Sequence, residues 1–522
     1  MGLRRCDVLV RMVLQIHMAE GQATAGSMDD FVYYRRELVY LYSHAEHVGS
    51  LPSVPIPFST VDCIVVDVCR PFNPSNSYYG SPRILSNDSS VPSAGSVGNA
   101  VMHFEKPEAR VLVAQIGARR NYCVPAAFAR AGMLHTFFTD FYAARAQLIK
   151  VASQLPILSS AGSIIRAIQR VSPELATARI VHFPWFAAGY AVCKSLSRHW
   201  GNMADAYVWG GRTFASAVAR HCPRGADAAY GFSSAVLEWF EALQDENTVC
   251  IVDQGTAPME YENALVKEQE DAYPEWCVRR RVSGDWSRYV ERQAREWELA
   301  DIVVCPSSFC RKALIDAGVR EERIRIVPHG FSPAFITTDR LREKRPSLSV
   351  LFVGNDAIRK GITDLVLALE KLKSLSLRAV YAGNQSGLSG YGLKRVAAVM
   401  ELLGPVPRHQ MPSVYHQADV FVLPTVSDTF PSVVLEAMAS GLPVVTTPNC
   451  GASDVIRDGI DGFIVPVRAP EAIAEKLELL AKDRELLQYM SHNARQRACD
   501  FTLDRYSERL VTLVCQACSE HR

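Results

Sequence analysis

The sequence predicts an α/β fold: two Rossmann-like domains facing a cleft, preceded by an irregular N-terminal extension. Short continuous apolar runs alternate with helix-periodic segments, which is the signature of a parallel sheet covered on both faces. The alternation occurs twice, on either side of a polar, proline-bearing stretch. At 522 residues the chain is too long for one core, and its 48% hydrophobic and 21% charged content is that of a globular protein.

The first series opens at "ARVLVAQIGARRNYCVPAAFARAG". Val111 to Ile116 is an apolar strand, Gly117 a turn, and a helix follows from about Val124, with Pro125 suited to its first turn. Further strands are expected at 248–253, 301–306 and 323–328, separated by helical patterns at 234–243 and 287–300. "FSPAFITTDRLREKRPSLS" (331–349) reads as the linker. The second series then gives strands at 350–354, 377–383, 419–424, 443–447 and 462–466, with helices over "ITDLVLALEKLK", "SVVLEAMAS" and "PEAIAEKLELLAKDRELLQYMSHNARQRA". The expected units are an extension over 1–109, an acceptor-side domain over 110–332, a donor-side domain over 333–500 and a last helix over 501–522 that crosses back to the first domain. Within the extension, 70–99 is rich in Ser, Pro, Asn and Gly and is expected to be a flexible loop, while 61–69 could be a strand.

Composition excludes several classes. A net charge of +1 is not that of a nucleic-acid binder, and no apolar run has the length of about 18 residues that a spanning helix needs. Arg11 interrupts the N-terminal apolar patch, so no cleaved signal peptide is expected. The 14 cysteines are scattered, with a single CxxC at Cys515 and Cys518, so neither a zinc site nor a disulfide framework is expected. A cytoplasmic location follows as the expectation, extended below to the cytoplasmic membrane surface.

Candidate functional residues follow strand ends, where ligands bind in open α/β sheets. After the strand at 350–354, Gly361 permits a tight turn and Arg359 and Lys360 bring positive charge suited to phosphate oxygens. Alone, the same "RKG" also fits an exposed basic turn. After the strand at 419–424, a helix starts near Pro431 or Ser432, and its free N–H groups and dipole make an anion site. Glu436 lies a turn further in, where a carboxylate can accept two sugar hydroxyls, each bond worth about 1.5–3 kcal/mol. Asp428 precedes the helix and suits either a polar ligand or a helix cap. A basic turn and an anion-ready helix start on one sheet fit a diphosphate, and Glu436 on a ribose makes the ligand a nucleoside diphosphate. No GxxxxGK[ST] pattern occurs, which argues against a P-loop nucleotidase.

These segments resemble a known family. "ELADIVVCPSSFCRKALIDAGVREERIRIVPHG", "FVGNDAIRKGITDLVLAL" and "YHQADVFVLPTVSDTFPSVVLEAMASGLPVVTTPNCGASDVIRDGIDGFIVP" are similar to the retaining family-4 glycosyltransferases, also called glycosyl transferases group 1. The likeness is strong over 290–500, weaker from 110, and absent over 1–109. It implies the GT-B fold, a nucleotide-diphosphate sugar donor (UDP or GDP) and no cofactor or metal. Lys360 would hold the diphosphate and Glu436 the ribose. Phe430, Pro431 and Ser432 would line the phosphates and donor sugar, with backbone N–H groups from Phe430 and Ser432. Asp428 takes the first acidic place of the E-x7-E signature, so catalysis is assigned to Asp428, Lys360 and Glu436. Gly117 would allow close approach of the donor, Arg359 would add charge, and Val406 and Met411 lie in the stretch that lines the base pocket.

The chain departs from the family in four places. Its first signature acid is an Asp, one methylene shorter than Glu. Asn355 stands where an arginine is usual, and Asp253 and Gln254 replace the His that faces the reacting sugar in many relatives. His329 occupies a usual Asn position and reads as a hinge or core histidine.

The acceptor is less legible. Across 161–224, eight basic residues stand against two acidic ones and interleave with Trp185, Phe186, Tyr190, Trp200 and Trp209. Basic and aromatic residues on one surface suit an anionic membrane, and equally a packed core beneath a solvated face. The function expected is transfer of a sugar to a glycan, a lipid-linked acceptor or a small molecule, in cell-envelope polysaccharide synthesis, without nucleic-acid partners. The alternatives are a non-catalytic sugar-nucleotide-binding protein and a sugar-nucleotide epimerase of the same fold.

Overall fold

The computed structural model describes residues 109–143, 171–200, 203–278, 285–336 and 347–521. The expectations for 1–108, including the strand at 61–69 and the loop at 70–99, lie outside the described residues, as do Arg166 and Arg170.

Two parallel sheets form the core of the chain. The first has seven strands: β1 (Val111–Gln115), β2 (Leu134–Thr139), β3 (Ile180–His182), β4 (Ala228–Phe232), β5 (Val249–Asp253), β6 (Ile302–Cys305) and β7 (Ile324–Ile326). Its helices are α1 (Cys123–Arg130), α2 (Pro184–Trp200), α3 (Met203–His221), α4 (Leu237–Leu243), α5 (Met259–Ala272), α6 (Ser287–Leu299) and α7 (Ser308–Asp316). The second sheet has six strands: β8 (Leu348–Val353), β9 (Leu377–Ala382), β10 (Glu401–Gly404), β11 (Val420–Leu423), β12 (Val444–Thr446) and β13 (Gly462–Ile464). With it go α8 (Ile362–Lys371), α9 (Gly390–Val399), α10 (Met411–His416), α11 (Ser432–Ala439), α12 (Pro470–Lys482) and α13 (Arg484–Ala498), and the chain ends in α14 (Leu503–His521). The single helix expected over 470–498 is two, because Asp483 caps α13 by accepting from the Leu486 N–H.

The strand orders are β3-β2-β1-β4-β5-β6-β7 and β10-β9-β8-β11-β12-β13. Both reverse direction beside their first strand, so each sheet has a switch point, β1/β4 in one and β8/β11 in the other. Strands β1, β4, β5, β8 and β11 are buried along their whole length, which explains their continuous apolar character.

Three segments tie the two sheets together. Helix α14 lays Tyr506, Leu510 and Val514 into the core between α1 and the first sheet. Its first turn is anchored by Phe331, whose N–H donates to Phe501 O and whose carbonyl accepts from the Leu503 N–H. The start of the expected linker is thus packed, with Phe331 and Phe335 in the core of the second sheet. Trp276 and Cys277, just past α5, join that same core. Finally, the β6–α7 turn clasps the second sheet's loops. Ser307 Oγ donates to Thr429 O at 2.7 Å, and the Ser308 N–H donates to Asp454 at 2.6 Å.

Among the described residues no helix is long and apolar enough to cross a membrane. Phe186, Tyr190 and Trp209 stack on one another with ring centroids 5.5–6.4 Å apart, and Phe186 and Tyr190 are buried in the first core. They form an internal aromatic layer between α2 and α3 and do not face outward.

Candidate active site

The site at the second switch point is built by two loops that touch. The loop after β8 runs Gly354 to Gly361, and the loop after β11 runs Pro424 to Pro431. Gly361 has φ +77°, and a Cβ there would run into the Pro424 carbonyl, so only glycine lets the two loops meet. Lys360 is thereby pressed against the β11 loop, where its Nζ forms an ion pair with Asp428. Burial and the neighbouring Arg359 pull the Lys360 ammonium down to about 7. The Asp428 N–H donates to Asn449 O, and its carbonyl accepts from the Gly451 N–H, which fixes the backbone.

Arg359 does not project freely. It donates to Asp356 at 3.0 Å and to Ser427 O at 2.7 Å, and lies 3.6 Å from Glu262. Its guanidinium staples the β8 loop to the β11 loop and to α5. Asn355, at the position of the family's arginine, accepts from the Asn384 N–H at 3.0 Å and links the β8 and β9 loops. Lys360 therefore supplies the positive charge that this loop aims at Asp428.

Helix α11 starts at Ser432, which is exposed, with Pro431 at its N-cap position and no side-chain cap. The first N–H groups of such a helix lack intrahelical acceptors and remain available to an anion. Phe430 is buried against His329, ring to ring at 5.2 Å. His329 also abuts Tyr506 of α14 edge-on at 6.1 Å, and burial with Arg120 nearby holds it well below the usual imidazole range. It is a neutral hinge histidine, in keeping with its sequence reading.

Glu436, inside α11, is 4% exposed. Tyr415 Oη donates to Oε2 at 3.1 Å and Arg408 reaches Oε1 at 3.2 Å, while burial raises its carboxyl pKa. Arg408, mostly exposed, also lies over the Phe335 ring. Met411 is buried at the start of α10, and Val406 packs partly against the same core.

At the first switch point Gly117 has φ +76° and open space where a Cβ would stand. Its N–H donates to Asp140 at 2.8 Å. The next turn holds three consecutive residues in the left-handed region, Arg120, Asn121 and Tyr122, a strained arrangement that needs support. Support comes from Asp253, at the end of β5, which takes two hydrogen bonds from Arg120 at 2.9 and 3.0 Å and one from Tyr230 at 2.7 Å. Arg120 also donates to Tyr506 Oη at 2.7 Å. Gln254 is equally engaged, accepting from Trp297 Nε1 at 3.1 Å and donating to Thr256 O at 2.7 Å. The two residues that replace the usual His thus brace the loop and the hinge. Gly255 O then accepts from Thr429 Oγ1 at 2.8 Å, so one loop links the Arg120 turn to the Asp428 loop across the cleft.

The structure brings Lys360, Asp428 and the start of α11 to one switch point, and places Glu436 within α11. Sequence reasoning missed the Arg119–Arg120 turn, the partners Tyr415 and Arg408, and the Lys360–Asp428 pair. The basic pair directly after Gly117 in "GARRNY" was the available signal for the first.

Comparison with known proteins agrees with this architecture. Residues 338–497 match the family model described as glycosyl transferases group 1. The chain is 30% identical over 234 residues to a D-inositol 3-phosphate glycosyltransferase of Streptomyces griseus, covering 40% of this chain and 50% of the relative. It is 28% identical over 219 residues to the capsular polysaccharide biosynthesis glycosyltransferase CapM of Staphylococcus aureus, covering 38% and 56%. The chain spans about half the length of the curated relatives it matches. Among solved structures, sucrose-phosphate synthase of Thermosynechococcus elongatus superposes with a TM-score of 0.52 at 17% identity, over 79% of this chain and 100% of that one. Anabaena HepE, solved with UDP-glucose, superposes with a TM-score of 0.50 at 13% identity, over 78% and 99%. Two parallel sheets with paired switch points give this chain the GT-B fold, and the match to the model of glycosyl transferases group 1 falls on its second sheet.

Proposed function

We propose that the protein is a retaining glycosyltransferase that takes a sugar from a nucleotide-diphosphate donor bound at the second switch point. The observation that carries this reading is the meeting of Lys360, Asp428 and the uncapped start of α11 where β8 and β11 diverge. The diphosphate would exchange its charge with Lys360 and take the N–H groups of Ser432 and its neighbours. Glu436 would accept the ribose hydroxyls. During transfer the anomeric C–O(phosphate) bond breaks and the diphosphate leaves with the bonding pair. The acceptor oxygen bonds to the anomeric carbon on the same face, and its proton passes to the departing phosphate oxygen. Lys360 and the N–H groups are preorganised for the charge that develops there, which is the largest stabilising effect available to such a site. Asp428, released from Lys360, would face the positive charge at the anomeric carbon. In this reading Lys360 and the helix start supply the positive charge without a metal or cofactor.

Support for a nucleotide sugar comes from HepE, which binds UDP-glucose on a similar fold, and support for a polysaccharide-type product comes from the name of CapM. The reading places the protein in the cytoplasm. Contact with an anionic membrane rests on exposed basic residues such as Arg198, Arg212, Arg220 and Arg224, since Phe186, Tyr190 and Trp209 are packed inside. The test is a thermal-shift panel of UDP-, GDP- and ADP-sugars, followed by product analysis. At least one donor should raise the melting temperature, and Lys360→Ala or Glu436→Ala should abolish that shift. Failure of every nucleotide sugar to stabilise the protein would sink the assignment. Donor turnover with no acceptor product would favour the epimerase, and binding without turnover the non-catalytic reading.

A further inference from the structure

The chain crosses from the second sheet to the first through a short turn, Cys499–Phe501, between α13 and α14, and three arginines gather on it. Arg497 of α13 and Arg509 of α14 each place a guanidinium carbon 5.0 Å from the centre of the Phe501 ring. Arg505, one turn before Arg509, joins them around a cavity of about 480 Å³. Arg497 is satisfied by Asp500 at 3.1 Å and Val455 O at 3.0 Å, and Arg505 by Glu508 at 2.9 Å. Arg509 differs from both. Its Nη2 donates to Asp500 O at 2.6 Å, but its Nη1 is buried without a hydrogen-bond partner. Among the described residues it forms no ion pair, and burial pulls its pKa down although Asp500 and Glu508 act against the shift. A buried donor on an uncompensated cation is costly unless an anion completes it.

A second cavity, of about 370 Å³, shares Glu508 and Arg509 with the first and runs along α14 to β7, the edge strand of the first sheet. Arg325 of β7 lines it and also lacks an ion pair among the described residues, donating only to Glu322 O and Ile324 O. Val327, Leu513 and Ala517 give this cavity apolar walls, and Ile326 beside them is 40% exposed. Both volumes are those of ordinary small-molecule sites. Two cations without carboxylate partners, next to an apolar wall, suit a doubly charged oxyanion on a small organic body. A phosphomonoester carries close to that charge at pH 7. Neither cavity shares a residue with the donor loops at 354–361 and 424–431.

We propose that Arg509, with Arg325, Arg497 and Arg505 around it, is a binding site for a phosphomonoester, separate from the donor site. The Arg509 fork takes the phosphate oxygens through its unpartnered Nη1, and the organic part lies along Val327, Leu513 and Ala517. The phosphate is carried either by a soluble molecule or by a lipid headgroup. The site draws on α13, α14 and β7, and the Phe501 carbonyl within it accepts from the Phe331 N–H. An occupant therefore ties the crossover to the first sheet and should raise the melting temperature. The proposal stands independently of the transferase reading.

The test is calorimetry of the full chain with inorganic phosphate, glucose 6-phosphate and glucose, beside sedimentation with phosphatidylcholine vesicles carrying or lacking phosphatidic acid. At least one phosphate-bearing probe should bind saturably, with its phosphate-free counterpart at least tenfold weaker. Binding of a soluble phosphate assigns a free ligand, and binding of the phosphatidic acid vesicles alone assigns a headgroup. Arg509→Ala should weaken the phosphate-bearing probe at least tenfold, while Lys360→Ala leaves its affinity unchanged. Arg509→Lys keeps the charge without the fork and should fall between, and it is the variant to read if Arg509→Ala fails to fold. No saturable binding of any phosphate probe, equal binding of the phosphate-free counterpart, or an unchanged affinity in the Arg509 variants overturns the proposal. A loss that follows Lys360 and not Arg509 overturns it too, and puts the phosphate in the donor site.

Discussion

Lys360 of the β8 loop and Asp428 of the β11 loop hold each other in an ion pair across the switch point of the second sheet. Both side chains are close to nine-tenths buried, so the pair is largely shielded from water. In the proposed function a diphosphate arriving at α11 would compete with Asp428 for the Lys360 ammonium. Asp428→Asn removes that competition. Nucleoside diphosphate should bind it several-fold more tightly than wild type, while sugar transfer falls by about 10²-fold or more as the anomeric charge loses its carboxylate. Calorimetry and initial rates together check this, and a variant unchanged in both would show that Asp428 only shapes the loop.

If Lys360 holds the donor diphosphate, donor binding should be pH-dependent. Burial and Arg359 lower Lys360 to about 7, with Asp356 and Glu262 pulling the other way. For a cation with a lowered folded pKa, the folded chain binds fewer protons than the unfolded chain between about 7 and the ordinary lysine value. This group's contribution to stability therefore rises with pH across that window. Binding has the opposite sign, because a diphosphate favours the ammonium and the complex takes up a proton. Above pH 7 affinity should fall by up to about tenfold per unit, since one unit is about 1.4 kcal/mol. Calorimetry in buffers of differing ionisation enthalpy should show the uptake at pH 8 and none at pH 6. Lys360→Met should bind more weakly and lose the slope.

Glu436 is held by Tyr415 and Arg408 before any ligand arrives. If it accepts the ribose hydroxyls, Glu436→Ala should cost UDP about 1.5–3 kcal/mol of affinity, the value of charge-assisted bonds. The same variant should leave 2′-deoxy-UDP much less affected. An equal loss for both nucleotides would assign Glu436 to holding Tyr415 and Arg408, not to the ribose.

Two glycines separate shape from access. Gly361→Ala drives a Cβ into the Pro424 carbonyl at a positive φ, so the Lys360 loop must shift and donor binding should disappear. Gly117→Ala meets open space, and its cost to folding should stay near 1 kcal/mol. If the donor approaches Gly117 closely, this variant should keep its melting temperature within a few degrees yet bind donor at least tenfold more weakly. Unchanged donor affinity would free that space for the acceptor alone.

Much of this was legible because buried parallel strands announce themselves as continuous apolar runs. Val111 to Gln115 and Val249 to Asp253 were found from that signal alone. β4 was not, since "AAYGF" is small, glycine-bearing and short, and its identity as a strand comes from pairing with β1 and β5. α2 and α3 were hidden for a related reason. Their aromatic residues fitted a membrane-facing surface and a packed core alike, and the structure shows the core: Phe186, Tyr190 and Trp209 satisfy one another across the two helices. In the site, Lys360 and Glu436 sat in recognisable contexts. Long-range pairing is not encoded locally. Nothing near Asp428 in sequence names Lys360, 68 positions away, and nothing near Asp253 names Arg120, 133 positions away.

The Asp253 pairing carries the last prediction. Asp253 is 1% exposed and takes three hydrogen bonds, two from an arginine in left-handed backbone. Asp253→Ala leaves the Arg120 guanidinium with Tyr506 and the Phe232 ring but no carboxylate, and removing one member of a buried ion pair costs about 3–5 kcal/mol. The strained turn from Arg120 to Tyr122 would lose its main restraint. The variant should melt roughly 10 °C below wild type. The Lys360–Asp428 pair and α11 belong to the other sheet, so UDP affinity measured well below the melting point should change by less than threefold. The residual transfer rate should fall through a raised acceptor KM more than through kcat. A variant that melts like wild type but loses kcat would instead make Asp253 a group that touches the reacting sugar, in the role of the histidine it replaces.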